Sequence, residues 1–227
     1  MSTLDPRIAD GTARMLARRD AVLADGAEHL GWKLGFGAPA ALSKLGTDRP
    51  LVGFLVDTLA LDDGSTVSLE GWTKPVLEAE VAVHVGAPLG AGATAEEAFD
   101  AVVGWSVAIE LADLDQPPED IGEILAGNIF HRHVIVGHRV PPLLAGPHFA
   151  VRRDGDEVAA TDEPTALTGD LPTVLAAAAD TLASCGAGGL APGDVVITGS
   201  VVPPIEVGPG RWTVEAVGLG RVSVDLA

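Results

Sequence analysis

One segment constrains the fold more than any other. From Val76 to Val85 the chain reads Val-Leu-Glu-Ala-Glu-Val-Ala-Val-His-Val. Successive side chains of an extended strand point to opposite faces. Leu77, Ala79, Val81, Val83 and Val85 then make one unbroken apolar face, and Glu78, Glu80, Ala82 and His84 share the other. Acidic residues are depleted in strands, yet two carboxylates here point the same way, with Cα atoms roughly 6.5–7 Å apart by strand rise. If both faces are covered, the two like charges oppose each other by several kcal/mol at an effective dielectric of about 20. Three arrangements relieve this. The polar face is wet, the pair shares a proton, or a divalent cation makes the ionised forms stable.

A third acid adds weight to the cation. In Trp105-Ser-Val-Ala-Ile-Glu-Leu, Val107, Ile109 and Leu111 face one way and Ser106, Ala108 and Glu110 the other. Three carboxylates completed by water suit a hard, oxygen-preferring ion such as Mg²⁺ or Mn²⁺. No Cys/His spacing points to zinc. His84 shares the face of Glu78 and Glu80, as a proton shuttle or as a satisfied polar-face histidine. His131 and His133 read as structural or surface histidines.

The rest of the chain alternates strands and turns with a few helices. Asp5-Pro6 opens a helix to about Gly26. Strands are expected at Leu30–Phe36, Leu51–Val56, Trp105–Leu111 and Arg132–Val136, with a hairpin over Phe149–Val158 turning at Asp154-Gly155. Asp62-Asp63-Gly64 is a further hairpin signal. Thr94-Ala-Glu-Glu97 is a capping box for a helix through Phe99, Val102 and Val103. Asp170 caps a helix over Leu171–Cys185, and four strands close the chain. Because strands do not alternate regularly with helices, the fold class is α+β rather than doubly wound. The segment Asp113–Leu125, with Pro117-Pro118, reads as a loop and short helix covering a site.

Charge excludes some partners. With 14 Lys+Arg against 32 Asp+Glu the formal net charge is -18, so neither nucleic acid nor an anionic membrane surface is an expected partner. Apolar residues at 47% support a core. The lone Cys185 forms no intrachain disulfide, which suits a reducing, cytoplasmic setting, and it reads as a buried small residue rather than a nucleophile. No apolar run is long enough to span a membrane.

Leu77-Glu-Ala-Glu80, followed by Ala108-Ile-Glu110, resembles the E-x-E…E metal signature of the fumarylacetoacetate hydrolase superfamily, on its 2-keto-4-pentenoate hydratase and 4-oxalocrotonate decarboxylase branch. Trp32-Lys-Leu-Gly35 is similar to the family's K-x-G strand. Leu45-Gly-Thr-Asp-Arg-Pro-Leu-Val-Gly53 resembles its L-G-x-D-x-P-x-x-G stretch, Gly193-Asp-Val-Val-Ile-Thr-Gly199 its G-D-x-I-x-T-G motif, and Gly218-Leu-Gly-Arg-Val222 its closing strand.

The resemblance implies a mixed β-roll, sandwich-like domain over residues 30–227 with a few peripheral helices, preceded by a helical segment at 1–29. It implies Mg²⁺ or Mn²⁺ on Glu78, Glu80 and Glu110, and a small 2-keto acid hydrated or decarboxylated through a metal-stabilised enolate. Lys33 would bind the substrate carboxylate or the developing oxyanion. Asp48 would act as acid/base or orient Lys33. Thr198, Gly199 and Asn128 would contact substrate. Homo-oligomers are common in the family. The chain departs from the pattern where S-R-x-x-x-W is expected, reading Leu111-Ala-Asp-Leu-Asp, and where D-N-A-S-x-G is expected, reading Gly127-Asn-Ile-Phe-His-Arg-His133. An acylpyruvate-type hydrolase using Glu119 and Glu123, and a non-catalytic metal-binding relative, are the alternatives.

Overall fold

In the computed structural model, which describes residues 4–115, 119–141 and 147–227, the capping signals act as the sequence suggests. Asp5 accepts a hydrogen bond from Arg7 N at 2.8 Å and starts α1 (Pro6–Ala24). The elements then run β1 (His29–Gly35), α2 (Pro39–Leu45), β2 (Leu51–Val56), β3 (Ser65–Val67), β4 (Pro75–Val85), α3 (Ala95–Asp100), β5 (Val102–Asp113), α4 (Ile121–Ala126) and β6 (His131–Val136). After them come β7 (Phe149–Arg153), β8 (Asp156–Thr161), α5 (Leu171–Ser184), β9 (Val195–Ser200), β10 (Ile205–Glu206), β11 (Gly210–Ala216) and β12 (Gly220–Leu226). The Thr94–Glu97 capping box and the Asp170 cap both form.

Two mixed sheets make the body. One has the order β2-β1-β9-β4-β5-β6, with β10 also paired to β4; the other has the order β3-β12-β11-β7-β8. The apolar face of β4, Leu77 through Val85, joins Trp212, Val214, Val222 and Val224 of the second sheet in one buried core, with Leu175, Ala179 and Leu182 of α5. The opposite face of β4 looks into the hollow of its own sheet. Leu55 on β2 and Val134 on β6, at opposite ends of the strand order, meet in one cluster with Ala82, Ala108 and Ile197. The segment after β2 completes the curl: Leu61 N bonds to Val134 O at 2.8 Å. The first sheet is therefore a half-barrel, as right-handed strand twist favours.

Two local expectations are corrected. Asp62-Asp63-Gly64 makes a turn, but no hairpin follows, because β3 pairs in parallel with β12 from the far end of the chain. Asp63 is used instead to accept from Ser223 N at 2.7 Å. The helix begun by the capping box stops at Asp100, and Val102 and Val103 already belong to β5. Apolar pairing with β4, up to Val85 opposite Val102, overrides the short helical periodicity.

Candidate active site

The half-barrel register brings the acids together. On β4 and β5, Glu78 pairs directly with Glu110, and Glu80 with Ala108. Directly opposite side chains in an antiparallel pair have Cβ atoms about 4.5–5.5 Å apart. The three carboxylates of Glu78, Glu80 and Glu110 each offer an oxygen within 4.8 Å of the other two. Glu80 and Glu110 are buried at 0% and 1% exposure.

Strand β9 leaves β4 at this point. Ser200 is the last residue paired with Glu80, and β10 resumes opposite Leu77. The intervening turn leaves room beside the acids for a cavity of about 270 Å³. Its walls include Lys33, Glu78, Glu110, Thr198, Gly199 and Ser200.

Lys33 reaches this face from β1 and is only 2% exposed. Its ammonium pairs with Glu110 Oε1 and donates to Ile129 O at 3.0 Å. Room for its stem comes from Gly53 on β2, where a Cβ would lie 2.9 Å from Lys33 Cγ. Gly35, two residues past Lys33, allows Ile129 to approach: a Cβ there would meet Ile129 Cγ2 at 2.9 Å. That close approach gives the Lys-Leu-Gly spacing a physical reason.

Asn128, Ile129 and Phe130 all have positive φ, 59°, 52° and 62°, a left-handed turn that β-branched and aromatic residues adopt only under strain. Asn128 holds it. Its Oδ1 accepts from Phe54 N at 2.8 Å and its Nδ2 donates to Phe54 O at 3.0 Å. The turn aims Ile129 O at Lys33.

The electrostatics of the three acids differ. Burial, with the Glu110 charge adding to it, pushes the Glu78 carboxyl up to about 7. Burial and then the charges of Glu110 and Glu78 push Glu80 well above the ordinary carboxylate range, although its Oε2 accepts from Gly199 N at 2.6 Å. For Glu110 burial also acts upward, but Lys33 and His131 outweigh it and hold the group below its ordinary value. Glu80 Oε1 is buried with no hydrogen-bond partner among the described residues. Three carboxylates facing one ammonium leave an excess of two negative charges, which is the charge of one divalent cation. An orphaned buried oxygen among oxygen donors fits a hard ion such as Mg²⁺.

Some expected residues do not face the cavity, and others reach it with their donors already committed. Asp48 is corrected: its side chain is 76% exposed, bonds to Arg49 Nε at 3.2 Å, and lines a surface hollow with Asp180 and Ser184 rather than the cavity. Asn128 is also corrected, because both ends of its amide are committed to Phe54. Thr198 lines the cavity, but its hydroxyl donates to Val81 O at 3.0 Å. Gly199 N is already given to Glu80. The expected cover Asp113–Leu125 lies partly outside the described residues, at 116–118. Leu114 lines the cavity, whereas α4 is packed down, with Ile121, Ile124 and Leu125 buried in a cluster with Ile8 of α1. Glu123 bonds to Arg14 at 2.9 Å on the exposed surface.

Two residues were missed. His131, read as structural, places Nδ1 2.8 Å from Glu110 Oε1. Burial pushes its imidazole below the ordinary value, so a neutral ring donates Nδ1–H to the carboxylate. Ser200 lines the cavity with a buried hydroxyl that has no partner among the described residues. No sequence signal marks Ser200, since its position depends on where β9 leaves β4.

Residues 36–225 match the model of the fumarylacetoacetate (FAA) hydrolase C-terminal family. The chain belongs to the fumarylacetoacetate hydrolase family. Among curated members, a 4-oxalocrotonate decarboxylase of Pseudomonas putida is 29% identical over 202 residues, covering 86% of this chain and 76% of the relative. The 2-keto-4-pentenoate hydratase 2 of Dechloromonas aromatica is 30% identical over 213 residues, covering 90% and 80%. The fumarylacetoacetate hydrolase fold is also seen in the 4-oxalocrotonate decarboxylase of Pseudomonas putida G7 complexed with magnesium and adipate, with TM-score 0.87 and 25% identity over 95% of this chain and 85% of that one. Among the described residues no helix is long and apolar enough to cross a membrane.

Proposed function

We propose that this member of the family is a divalent-metal-dependent lyase that hydrates or decarboxylates a small 2-keto acid through an enolate, with its catalytic unit in residues 30–227. The observation that carries this reading is the buried convergence of Glu78, Glu80 and Glu110 at a cavity, with one carboxylate oxygen left unpaired. The relatives named as hydratases and decarboxylases support it. Glu78, Glu80 and Glu110 would hold Mg²⁺ or Mn²⁺, which supplies a Lewis acid for the 2-oxygen and carboxylate of a bound 2-keto acid.

The protein's own groups do the rest. Lys33, fixed between Glu110 and Ile129 O, places a positive charge where negative charge develops on the substrate oxygen. Ser200 Oγ is free to donate to the substrate carboxylate, the role that Thr198 cannot take while bound to Val81. His131 keeps Glu110 oriented. Ile129, whose carbonyl holds Lys33, shields the reacting end from bulk water.

The test is turnover of 2-hydroxypenta-2,4-dienoate and 2-oxalocrotonate with Mg²⁺ or Mn²⁺, with EDTA controls and an acylpyruvate in parallel. Metal-dependent loss of the dienoate or release of CO₂ is the expected result. Cleavage of the acylpyruvate alone would move the protein to the hydrolase branch, and no turnover beside normal metal binding would make it a non-catalytic relative.

A further inference from the structure

We infer that the acid taken by this site carries a single carboxylate on a short uncharged tail, and that a second, distal carboxylate is rejected. This deepens the lyase reading, rests on it for the head group, and narrows it to hydration of a monoacid, because oxalocrotonate itself carries a distal carboxylate. The acid's 2-keto carboxylate end has Lys33, Ser200 and the three-carboxylate cluster to meet it. The larger remaining lining side chains, Phe36, Ala41, Leu114, Leu167, Val202 and Pro204, are apolar, and the hydroxyl of the one polar addition, Thr168, is given to Pro164 O and Gly169 O at 3.3 Å. The single cationic side chain among the described lining residues is Lys33, and it is already paired with Glu110.

Three arginines are committed elsewhere, and Lys44 and Lys74, which have no ion pair among the described residues, do not line the cavity. Arg132, which follows the left-handed turn, bonds Asp113 and Asp115 at 3.3 and 3.0 Å. Arg49 bonds Asp48 and Asp180, and Arg7 bonds Asp5. Segments 1–3, 116–118 and 142–146 contain no Lys, Arg or His in the sequence. A carboxylate brought into the apolar end would lose its hydration and gain no partner. The net charge of -18 works in the same direction, since it raises the cost of bringing in a dianion. The magnesium complex of the Pseudomonas putida G7 decarboxylase contains adipate, a dicarboxylate; the wall of the present cavity has no charge to match that second group.

Two probes with the same head separate the ideas: 2-oxopentanoate and 2-oxoadipate, titrated calorimetrically into the Mn²⁺-loaded protein. The monoacid is expected to bind more tightly by about tenfold or more, a difference of about 1.4 kcal/mol. Equal or tighter binding of 2-oxoadipate overturns the tail inference and leaves the lyase reading standing. Failure of both acids to bind the Mn²⁺-loaded protein overturns the head-group reading and the tail inference together. Leu114→Arg supplies the missing cation on the partly exposed rim. It is expected to shift the preference toward 2-oxoadipate by about tenfold, and an unchanged ratio counts against the inference.

Discussion

Glu78 stands directly opposite Glu110 across the antiparallel pair of β4 and β5, in register, on the hollow side of the half-barrel. Two like charges opposite each other destabilise a sheet. Glu80, two residues along the same face, adds a third. Without a cation the site opposes the fold that builds it.

Glu80→Gln should therefore stabilise the metal-free protein. The amide oxygen still accepts from Gly199 N, and folding no longer has to protonate, or bury the charge of, a carboxyl held well above its ordinary range. A gain of about 1–3 kcal/mol is expected in EDTA, read as a Tm higher by a few degrees. In Mn²⁺ the order should reverse, because wild type gains the ion and the variant does not. A variant less stable than wild type in EDTA would contradict this account of the cluster.

Lys33→Met removes the ammonium and leaves its stem space filled by the thioether chain. Turnover should fall by about 10²–10³, the scale for losing a charged stabiliser of a developing oxyanion. Metal stoichiometry should stay at that of wild type. Collapse of metal binding with turnover per bound ion unchanged would contradict the role given to Lys33.

His131→Asn withdraws the donor that fixes Glu110 Oε1. Groups that orient a metal-binding carboxylate carry about 10–100-fold in affinity or activity. We expect a loss in kcat of that order with KM little changed, and partial rescue by His131→Gln. Wild-type kcat in His131→Asn would return the histidine to a packing role.

Asp194 ties the strand that carries Lys33 to β9. It accepts from Trp32 Nε1 at 2.9 Å and from Ala191 N at 2.8 Å, with His29 Nε2 at 3.2 Å. Burial acts to raise its carboxyl, but the bonds from His29, Ala191 and Trp32 outweigh this and hold it below the ordinary value of 3.8. A depressed folded value means that the stabilisation is present above 3.8 and is lost as pH falls through the folded value. Asp194→Asn should cost about 1–3 kcal/mol near neutrality. The gap to wild type should close as the pH of a denaturant titration is lowered below 3.8. A gap independent of pH would show that the charge of Asp194 contributes nothing.

Much of this site is legible in the sequence because strand alternation is a local rule. Two acids at i and i+2 in an apolar run, and one among small residues, mark Glu78, Glu80 and Glu110 by pattern alone. Lys33 comes through its Lys-Leu-Gly resemblance, which the approach of Ile129 to Gly35 explains. What fails depends on distant partners. Asp48 sits in a stretch that resembles the family, yet Arg49, anchored by the distant Asp180 of α5, pairs with it on the surface. Asn128 is polar and close to the site, but its amide closes on Phe54 of another strand. The turn at Gly64 has the residues of a hairpin, while the partner of β3 arrives from the chain's last strand. Ser200 carries no signal in one dimension, because its exposure to the cavity follows from β9 parting from β4 at that residue.

The central claim is that three carboxylates from β4 and β5 hold one hard cation. Calorimetric titration of the EDTA-stripped protein with Mn²⁺, for wild type and Glu80→Gln side by side, tests it most directly. The account predicts one ion per chain for wild type and an affinity lower by at least about tenfold for the variant. No heat of binding in wild type, or equal affinity in the two proteins, would contradict it.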